Sequence, residues 1–310
     1  MTFSRRLARS SSADSDVRAD GPVAATRSVR RGTESSASSR ELRSVGGVIL
    51  ATLMIAAVLL QLWDANFSVP FDYGGDANFM LAYIKDIGEH TWYYTNPHLA
   101  APFGAELYDF PALSGDGLQL VLMKLLSLGS SNAPTVMNVF YVLTYPLVSV
   151  SAFLVLRSLD LSTLTSVACA LLFAFIPFHF LRAEYHLTFS AYYGVPIAAY
   201  LILSTFGGKQ LLARRAQPGW RWTKWLSRRT AVTVVLCVIV GMASEYYAFF
   251  GILIIAFGAP LVALRTRQIR VLATGAAVIT LIGASVVICT AYASNRGKSL
   301  RLDPQSGCIG

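Results

Sequence analysis

The chain has 310 residues, of which 54% are hydrophobic and only 14% are charged, whereas a soluble globular domain carries about 25% charged residues. The net charge is +9, but long uncharged runs separate the bases and no basic stripe lies on a foldable soluble domain, which argues against a nucleic-acid-binding protein. The four cysteines and four histidines lack the spacing of a disulfide framework or a zinc site. The composition therefore indicates a membrane protein that has lipids, and no nucleic acid, among its partners.

Residues 1–44 are predicted to form a disordered, basic cytoplasmic tail. They contain eleven Ser, nine Arg and five acidic residues, which leaves too little apolar surface to offset the entropy lost on ordering. The first apolar run lies too far from residue 1 for a secretory signal peptide, so we expect it to stay in the protein as a membrane anchor.

Seven apolar stretches approach the roughly 20 residues that a helix needs to cross a bilayer. They cover residues 45–63, 134–156, 162–181, 189–206, 231–243, 246–264 and 271–292. An eighth stretch, 118–128, is shorter and is interrupted by Lys124, which predicts a helix that lies on the membrane surface or re-enters it. The predicted fold is thus an all-α membrane protein with about seven transmembrane helices.

The charges predict the orientation of this module, residues 45–292. With residues 1–44 inside the cell, 20 of the 26 Lys and Arg residues fall on the cytoplasmic side, as the positive-inside rule requires. The first outward loop, residues 64–133, then contains eight acidic residues and one base, Lys85, between residues 64 and 116. Long loops are usually functional, so this acidic loop is the first place to look for chemistry.

Within the acidic loop, Gly74 and Gly75 predict a tight turn, and Asp76 stands at the start of a helix. The apolar face of that helix comprises Phe79, Met80, Tyr83, Ile84 and Ile87. A carboxylate at a helix start is held by backbone donors. It remains open whether Asp76 is only an N-cap and Asp72 only a turn residue.

A second outward loop brings Arg182, Glu184 and His186 together within five residues. Ionisable groups at a membrane boundary point to function, although Arg182 is also explained by snorkelling to the headgroups and His186 by an interfacial hydrogen bond. Asp116 is predicted to cap the short helix 118–128. Pro177 is predicted to kink the third span.

The order of these features resembles the polytopic glycosyltransferases of the GT-C class. The resemblance rests on an N-terminal span, the Asp-Tyr-Gly-Gly-Asp-Ala motif at 72–77, two loop helices and the second loop with Glu184 and His186. It also includes Trp-Tyr-Tyr-Thr-Asn-Pro at 92–97 and Ala-Pro-Phe-Gly at 101–104. It covers residues 46–292. Members of the class generally continue beyond a seventh span, so the short polar tail 293–310 is expected to mark a C-terminally truncated member.

The resemblance implies an enzyme of the bacterial inner membrane that transfers a sugar from a polyprenyl-phosphate donor, with inversion, to a glycan, lipid or protein acceptor on the outer face. Asp76, or failing that Asp72, would act as the general base. Arg182 and His186 would bind the donor phosphate.

Two further acids are expected to support the substrate or a metal ion. Glu184 would orient His186 or join a divalent-cation site, and Asp116, if it is more than a helix cap, would contact sugar hydroxyls or support a metal ion. The resemblance leaves the cofactor unknown, with Mg or Mn as the candidates, because only some members of the class use a metal.

Two other functions remain open. A transporter or flippase for a lipid-linked saccharide would also need amphipathic grooves, but transporters carry ionisable groups near the bilayer midplane and often have repeated halves. Here the spans are nearly free of charge and no two halves match, which favours the enzyme. An inactive membrane scaffold is the third possibility, although it leaves the acidic loop unexplained.

Overall fold

The computed structural model describes residues 22–89, 92, 95–96, 102, 104–106, 116–212 and 227–301, with side chains over 39–89, 92, 102, 104, 116–212 and 227–290. The helices are α1 (Pro22–Leu59), α2 (Ala77–Glu89), α3 (Gly117–Ser127), α4 (Ala133–Ser158), α5 (Thr163–Ala174), α6 (Pro177–Arg182), α7 (Leu187–Ser190), α8 (Gly194–Phe206), α9 (Arg228–Ala243), α10 (Glu245–Thr266) and α11 (Ile269–Arg301). Two strands of two residues, β1 (Thr95–Asn96) and β2 (Ala105–Glu106), pair antiparallel. Apart from that pairing, the regular structure in these residues is helical, as predicted.

The first and last helices extend beyond the predicted spans. The chain divides into two compact units, residues 1–44 and 45–310, but α1 begins at Pro22, so residues 22–44 are helical where disorder was predicted. Likewise α11 continues to Arg301, into the predicted polar tail. Adding a residue to an existing helix is far less costly than nucleating one, so an apolar helix can continue into polar sequence. Residues 1–21 and 302–310 lie outside the described residues.

Among the described residues, five helical segments are long and apolar enough to cross a membrane, two fewer than predicted. They are Ser39–Leu59, Ala133–Ser158, Thr163–Arg182, Glu245–Thr266 and Ile269–Thr290. α8 has 13 residues and α9 has 16, which at 1.5 Å per residue gives about 20 and 24 Å against a hydrocarbon core of about 30 Å. The fourth predicted span is shorter because Pro196, in a continuous helix, would clash with the carbonyl of Tyr192.

The third membrane segment is broken, which confirms the predicted kink at Pro177. α5 ends at Ala174, and Ile176 is extended with ψ 151°, since a residue that precedes proline avoids the helical region. His179 is fully buried beside the break. Its Nδ1 lies 3.0 Å from the Ala174 carbonyl oxygen and its Nε2 lies 2.8 Å from Thr144 Oγ1. The imidazole therefore satisfies a carbonyl at the end of α5.

The two helices of the acidic loop each bury one face. The predicted apolar face of α2 is confirmed, with Met80, Tyr83, Ile84 and Ile87 buried and Phe79 partly buried. α3 buries Gln119, Leu120 and Met123, and exposes Val121 and Leu125. The Lys124 ammonium donates to the Ile87 carbonyl. Both helices thus belong to the core, although α3 also presents an apolar face outward.

Small residues let the later helices approach one another closely. A Cβ added to Gly241 of α9 would lie 2.7 Å from Ser285 Cβ and 2.8 Å from the Ile282 carbonyl oxygen of α11. Gly258 of α10 faces the Phe206 ring of α8 in the same way. Close backbone approach through small residues is typical of helix packing in membranes.

These contacts define two ends of the helical bundle in the unit 45–310. α8 and α10 run parallel, because Ala198 lies beside Gly251 and Phe206 lies beside Gly258. We call the end that includes α2 and α3 the acidic end; its described charged residues are Asp64, Asp72, Asp76, Asp86, Glu89, Asp116, Glu184 and Glu245, with Lys85, Lys124 and Arg182. The opposite, basic end contains Arg157, Asp160, Lys209, Arg228, Arg229, Arg265, Arg267 and Arg270.

Candidate functional site

The two loops that the sequence singled out bond to each other at the acidic end. The Asp76 amide donates to the Tyr185 carbonyl oxygen at 2.9 Å. The Asp72 amide donates to Glu184 Oε2 at 3.0 Å. Residues more than a hundred positions apart thereby form one structure, which we call the paired loops (residues 72–76 and 182–186).

The paired loops require glycine at two positions. Gly75 has φ +53°, a region that side chains disfavour. A Cβ added to Gly75 would lie 2.5 Å from the Tyr185 ring and 2.7 Å from the Tyr185 carbonyl oxygen, and one added to Gly74 would lie 2.9 Å from the same ring. The glycines therefore serve both the predicted turn and a close approach to Tyr185. No pattern in the sequence indicates the close approach to Tyr185.

Asp76 and His186 are in direct contact. His186 Nδ1 lies 2.7 Å from Asp76 Oδ2, and the side chain of Asp76 is 60% exposed while that of His186 is 25% exposed. Asp76 immediately precedes α2, and its carbonyl oxygen accepts from the Met80 amide. Asp76 is thus more than a helix-start residue: its carboxylate is held by an imidazole and remains open to solvent.

Asp72 has the turn role that the sequence left open. Its Oδ1 accepts the Gly74 amide at 2.8 Å, within the turn itself. One carboxylate oxygen is therefore committed to local structure, which makes Asp72 a weaker candidate base than Asp76.

Glu184 contacts Asp72 rather than His186. The side chain is fully buried, and Oε1 has no hydrogen-bond partner among the described residues. Burial raises the pKa of Glu184 to about 7, and the amides of Asp72 and Phe71 partly oppose that shift. The expectation that Glu184 orients His186 is not supported, because the carboxylate lies on the Asp72 amide; Asp76 holds the imidazole instead.

Arg182 lies over aromatic rings at the edge of the same site. Its guanidinium carbon is 5.3 Å from the ring centroid of Phe178 and 5.9 Å from that of Phe189. The Phe189 ring is also 5.8 Å from the His186 ring. Arg182 and His186 therefore share one aromatic neighbour, and a positive charge is present near the Asp76–His186 contact.

Asp116 does not cap α3, so that prediction is wrong. It occupies the N-cap position without a side-chain cap hydrogen bond and is almost fully buried. Burial, with the Glu245 charge as a second cause, raises the pKa of Asp116 to about 8, and a hydrogen bond with the Thr188 side chain opposes that shift. Asp116 thus reaches the chain two residues after His186, where a protonated carboxyl can bond without a full charge in the interior.

Gln119 was not recognised from the sequence. Its Nε2 donates to the Thr188 carbonyl oxygen at 3.1 Å and to the Ala243 carbonyl oxygen. The amide therefore ties α3 to the segment that follows His186 and to the end of α9. The available signal was a polar side chain inside the apolar run 118–128.

An apolar groove of about 630 Å³ opens next to the paired loops. Its lining includes Glu245, Phe249, Phe250, Gly283 and Val286. Tyr246 also lines it and lies 5.1 Å from the Phe189 ring, measured between centroids. The groove therefore connects to the site through two aromatic rings.

Within the described part of the chain, no three His, Cys, Asp or Glu side chains come together as potential metal ligands. Asp109 and the side chain of Glu106, in the same acidic loop, lie outside the described residues. The divalent cation stays a prediction.

Comparison with known proteins identifies no relative: no protein-family model, curated protein or solved structure matches this chain.

Proposed function

We propose that this membrane protein is a glycosyltransferase that moves a sugar from a polyprenyl-phosphate donor to an acceptor at the acidic end, with inversion. The observation that carries the proposal is the exposed Asp76 carboxylate on His186, 2.7 Å away, beside Arg182. A base, its partner and a cation thus lie together at one end of a bundle of apolar helices. The likeness to GT-C enzymes comes from the sequence motifs alone.

The proposed topology has seven crossings, with the acidic end outside the cell. α8 and α9 are short, but they run between the same two ends as the longer helices, since α8 follows α10 in parallel. A thinned bilayer accommodates short helices at modest cost. With the basic end and residues 1–44 in the cytoplasm of a bacterial inner membrane, the charge asymmetry follows the positive-inside rule.

In the proposed reaction, Asp76 accepts the proton of the acceptor hydroxyl as its oxygen attacks the anomeric carbon. The bond from that carbon to the phosphate oxygen breaks, and the lipid phosphate leaves with the electron pair. His186, through its hydrogen bond at 2.7 Å, orients the Asp76 carboxylate. General base catalysis of this kind contributes about 10²–10⁴-fold in rate.

The leaving phosphate develops negative charge, and Arg182 is the proposed group that stabilises it. The guanidinium is held over Phe178 and Phe189, which restricts where it can point. His186 Nδ1 faces Asp76, so only the Nε2 atom of this imidazole is left to contact the phosphate. Nε2 donates a hydrogen bond to the phosphate only when both ring nitrogens carry a proton. The isoprenoid chain of the donor would lie in the apolar groove near Phe249 and Val286.

Sugar transfer by an Asp76→Asn variant tests the base assignment. Membranes that contain the full chain are supplied with a radiolabelled polyprenyl-phosphate sugar, and the expected loss of transfer is at least about a hundredfold. Asp64→Asn is the matched control, since Asp64 is an exposed acid at the same end; it should transfer normally. Normal transfer by Asp76→Asn, with equal protein level, would contradict the assignment and leave Asp72→Asn as the next test.

The same preparation separates an enzyme from a transporter. A flippase for a lipid-linked saccharide would move the labelled donor across the vesicle membrane without a new glycosidic bond. Within the described spans, His179 is a buried ionisable side chain, and both of its ring nitrogens already have partners, which gives a transporter no evident midplane site.

A further inference from the structure

A second cavity, of about 760 Å³, lies at the basic end, opposite the paired loops. It is lined by Tyr200, Lys209, Leu211, Arg229 and Val232, and also by Gln210, Arg228 and Thr233. These residues belong to α8, to the turn that follows it and to the first turns of α9. The proposed transfer reaction uses none of them.

Three cations line this cavity, and none has an ion-pair partner among the described residues. Lys209, Arg228 and Arg229 are all exposed, and Lys209 Nζ lies 5.9 Å from the ring centroid of Tyr200. The stretch 207–229 contains seven Lys and Arg residues and no acid. The local sequence therefore offers no carboxylate to neutralise the cavity.

The position of two of these cations is unfavourable for the helix that carries them. Arg228 and Arg229 are the first two residues of α9, directly after the N-cap Ser227, at the positive end of the helix dipole. An anion in the cavity would offset both the dipole and the three side-chain charges. The basic end thus combines a cavity, a cluster of cations and a helix N-terminus that all favour negative charge.

The wall of the cavity is partly apolar, which favours a lipid over a free ion as its ligand. Leu211 is buried and Val232 is 49% exposed, and both belong to segments at the ends of apolar helices. Tryptophans at 220, 222 and 225 lie in the same stretch of sequence, and Trp is typical of the membrane interface. Basic pockets between helices on the cytoplasmic side are typical headgroup sites.

We infer that this cavity binds the phosphate headgroup of an anionic phospholipid from the cytoplasmic leaflet. The phosphate contacts Lys209, Arg228 and Arg229, and the acyl chains leave along the side of Val232. The inference depends on the charge and shape of the basic end and is independent of sugar transfer at the acidic end.

The test measures binding of dioctanoyl phosphatidylglycerol to the full chain in a neutral detergent, with dioctanoyl phosphatidylcholine as the uncharged reference. Near an anionic lipid each base contributes about fivefold in affinity. The triple variant Lys209→Gln, Arg228→Gln, Arg229→Gln is therefore expected to bind phosphatidylglycerol about a hundredfold more weakly, with phosphatidylcholine binding unchanged.

The matched control removes three bases from the same end outside the cavity: Arg265→Gln, Arg267→Gln, Arg270→Gln. Its affinity for phosphatidylglycerol should stay within about threefold of that of the unsubstituted protein, since these bases do not line the cavity. An equal loss in both triple variants would overturn the inference in favour of diffuse surface attraction. Displacement of the lipid by an equal concentration of inorganic phosphate would overturn it in favour of a free anion.

A charge-neutral variant guards against a folding defect in the triple variant. Val232→Trp keeps every base and fills the cavity from an exposed position, so it should weaken phosphatidylglycerol binding at least tenfold while thermal unfolding stays unchanged. Unaltered binding by a folded Val232→Trp protein would place the lipid elsewhere and overturn the inference.

Discussion

At the acidic end, charged and polar groups bond to one another across distant parts of the chain. The Asp76–His186 contact, the Asp72 amide on Glu184 and the packing of Gly75 on Tyr185 all join two loops. At the basic end the cavity-lining cations are exposed, and they have no ion pairs within the described residues. The paired loops at the acidic end are thus held by bonds within the protein, whereas the cavity-lining cations at the basic end face outward.

This difference indicates where stability and chemistry depend on tertiary structure. A buried carboxyl such as Glu184 needs partners, because an unpartnered polar group in the interior is costly. An exposed Arg without an ion-pair partner costs little stability, because water solvates its charge. Substitutions in the paired loops should therefore disturb both stability and activity, and substitutions at the basic end should disturb mainly what binds there.

The largest effect on stability is expected from Gly75→Ala. The new Cβ meets the Tyr185 ring and carbonyl at φ +53°, so we expect the free energy of unfolding to fall by about 2 kcal/mol or more and sugar transfer to fall at least tenfold. Thermal unfolding in detergent and the transfer assay measure the two effects. Gly88→Ala is the control, since its Cβ would lie 3.7 Å from Ser127 Cβ, an ordinary contact. Equal, small effects of the two substitutions would show that the paired loops are not tightly fitted.

A smaller effect on stability, which depends on pH, is expected from Glu184→Gln. Because burial raises the pKa of Glu184 from 4.5 to about 7, the folded protein binds more protons than the unfolded chain in this interval. The stability contributed by this group is present below pH 4.5 and is lost as the pH rises through about 7.

Glu184→Gln should therefore reduce the fall in thermal stability between pH 4.5 and 7 without abolishing it. Asp116 titrates over an overlapping interval, with its pKa raised to about 8, and keeps part of the slope. An unchanged slope, measured by thermal unfolding at several pH values, would mean that Glu184 is not buried as a carboxylic acid.

The smallest effect is expected at the basic end, from Thr233→Val. Thr233 Oγ1 lies 3.0 Å from both the Leu211 and the Arg229 carbonyl oxygens, so the isosteric change removes one hydroxyl from the cavity wall. The cost should be about 1 kcal/mol. A loss of stability as large as that of Gly75→Ala would contradict the contrast between the two ends.

The helices were largely predictable because local sequence determines them. The apolar face of α2 follows from residue spacing, the break before α6 follows from Pro177, and the charge segregation follows from the order of acids and bases along the chain. Seven spans were predicted, whereas five helices in the described residues are long enough to cross a membrane. The two short ones are α8, whose start follows from Pro196, and α9, whose apolar run was already short in the sequence.

The candidate site was only partly predictable. The sequence brought out Asp76, Arg182 and His186 as separate candidates, but nothing in their spacing indicates that Asp76 contacts His186. Asp116 looked like a helix cap from its position, and the structure buries it against Thr188. Contacts between residues more than 60 positions apart depend on how helices pack, which residue patterns do not encode locally.

The sequence by itself determined that the long helices are apolar enough for a lipid membrane and that one end of the bundle is acidic and the other basic. Hydropathy and charge are properties of single residues, so they can be read along the chain. Only the tertiary structure decided that Asp76 stays exposed in contact with the His186 imidazole, and that Glu184 and Asp116 are buried against other residues. That choice depends on the close approach of Gly75 to Tyr185, a fit between two loops that neither loop specifies alone.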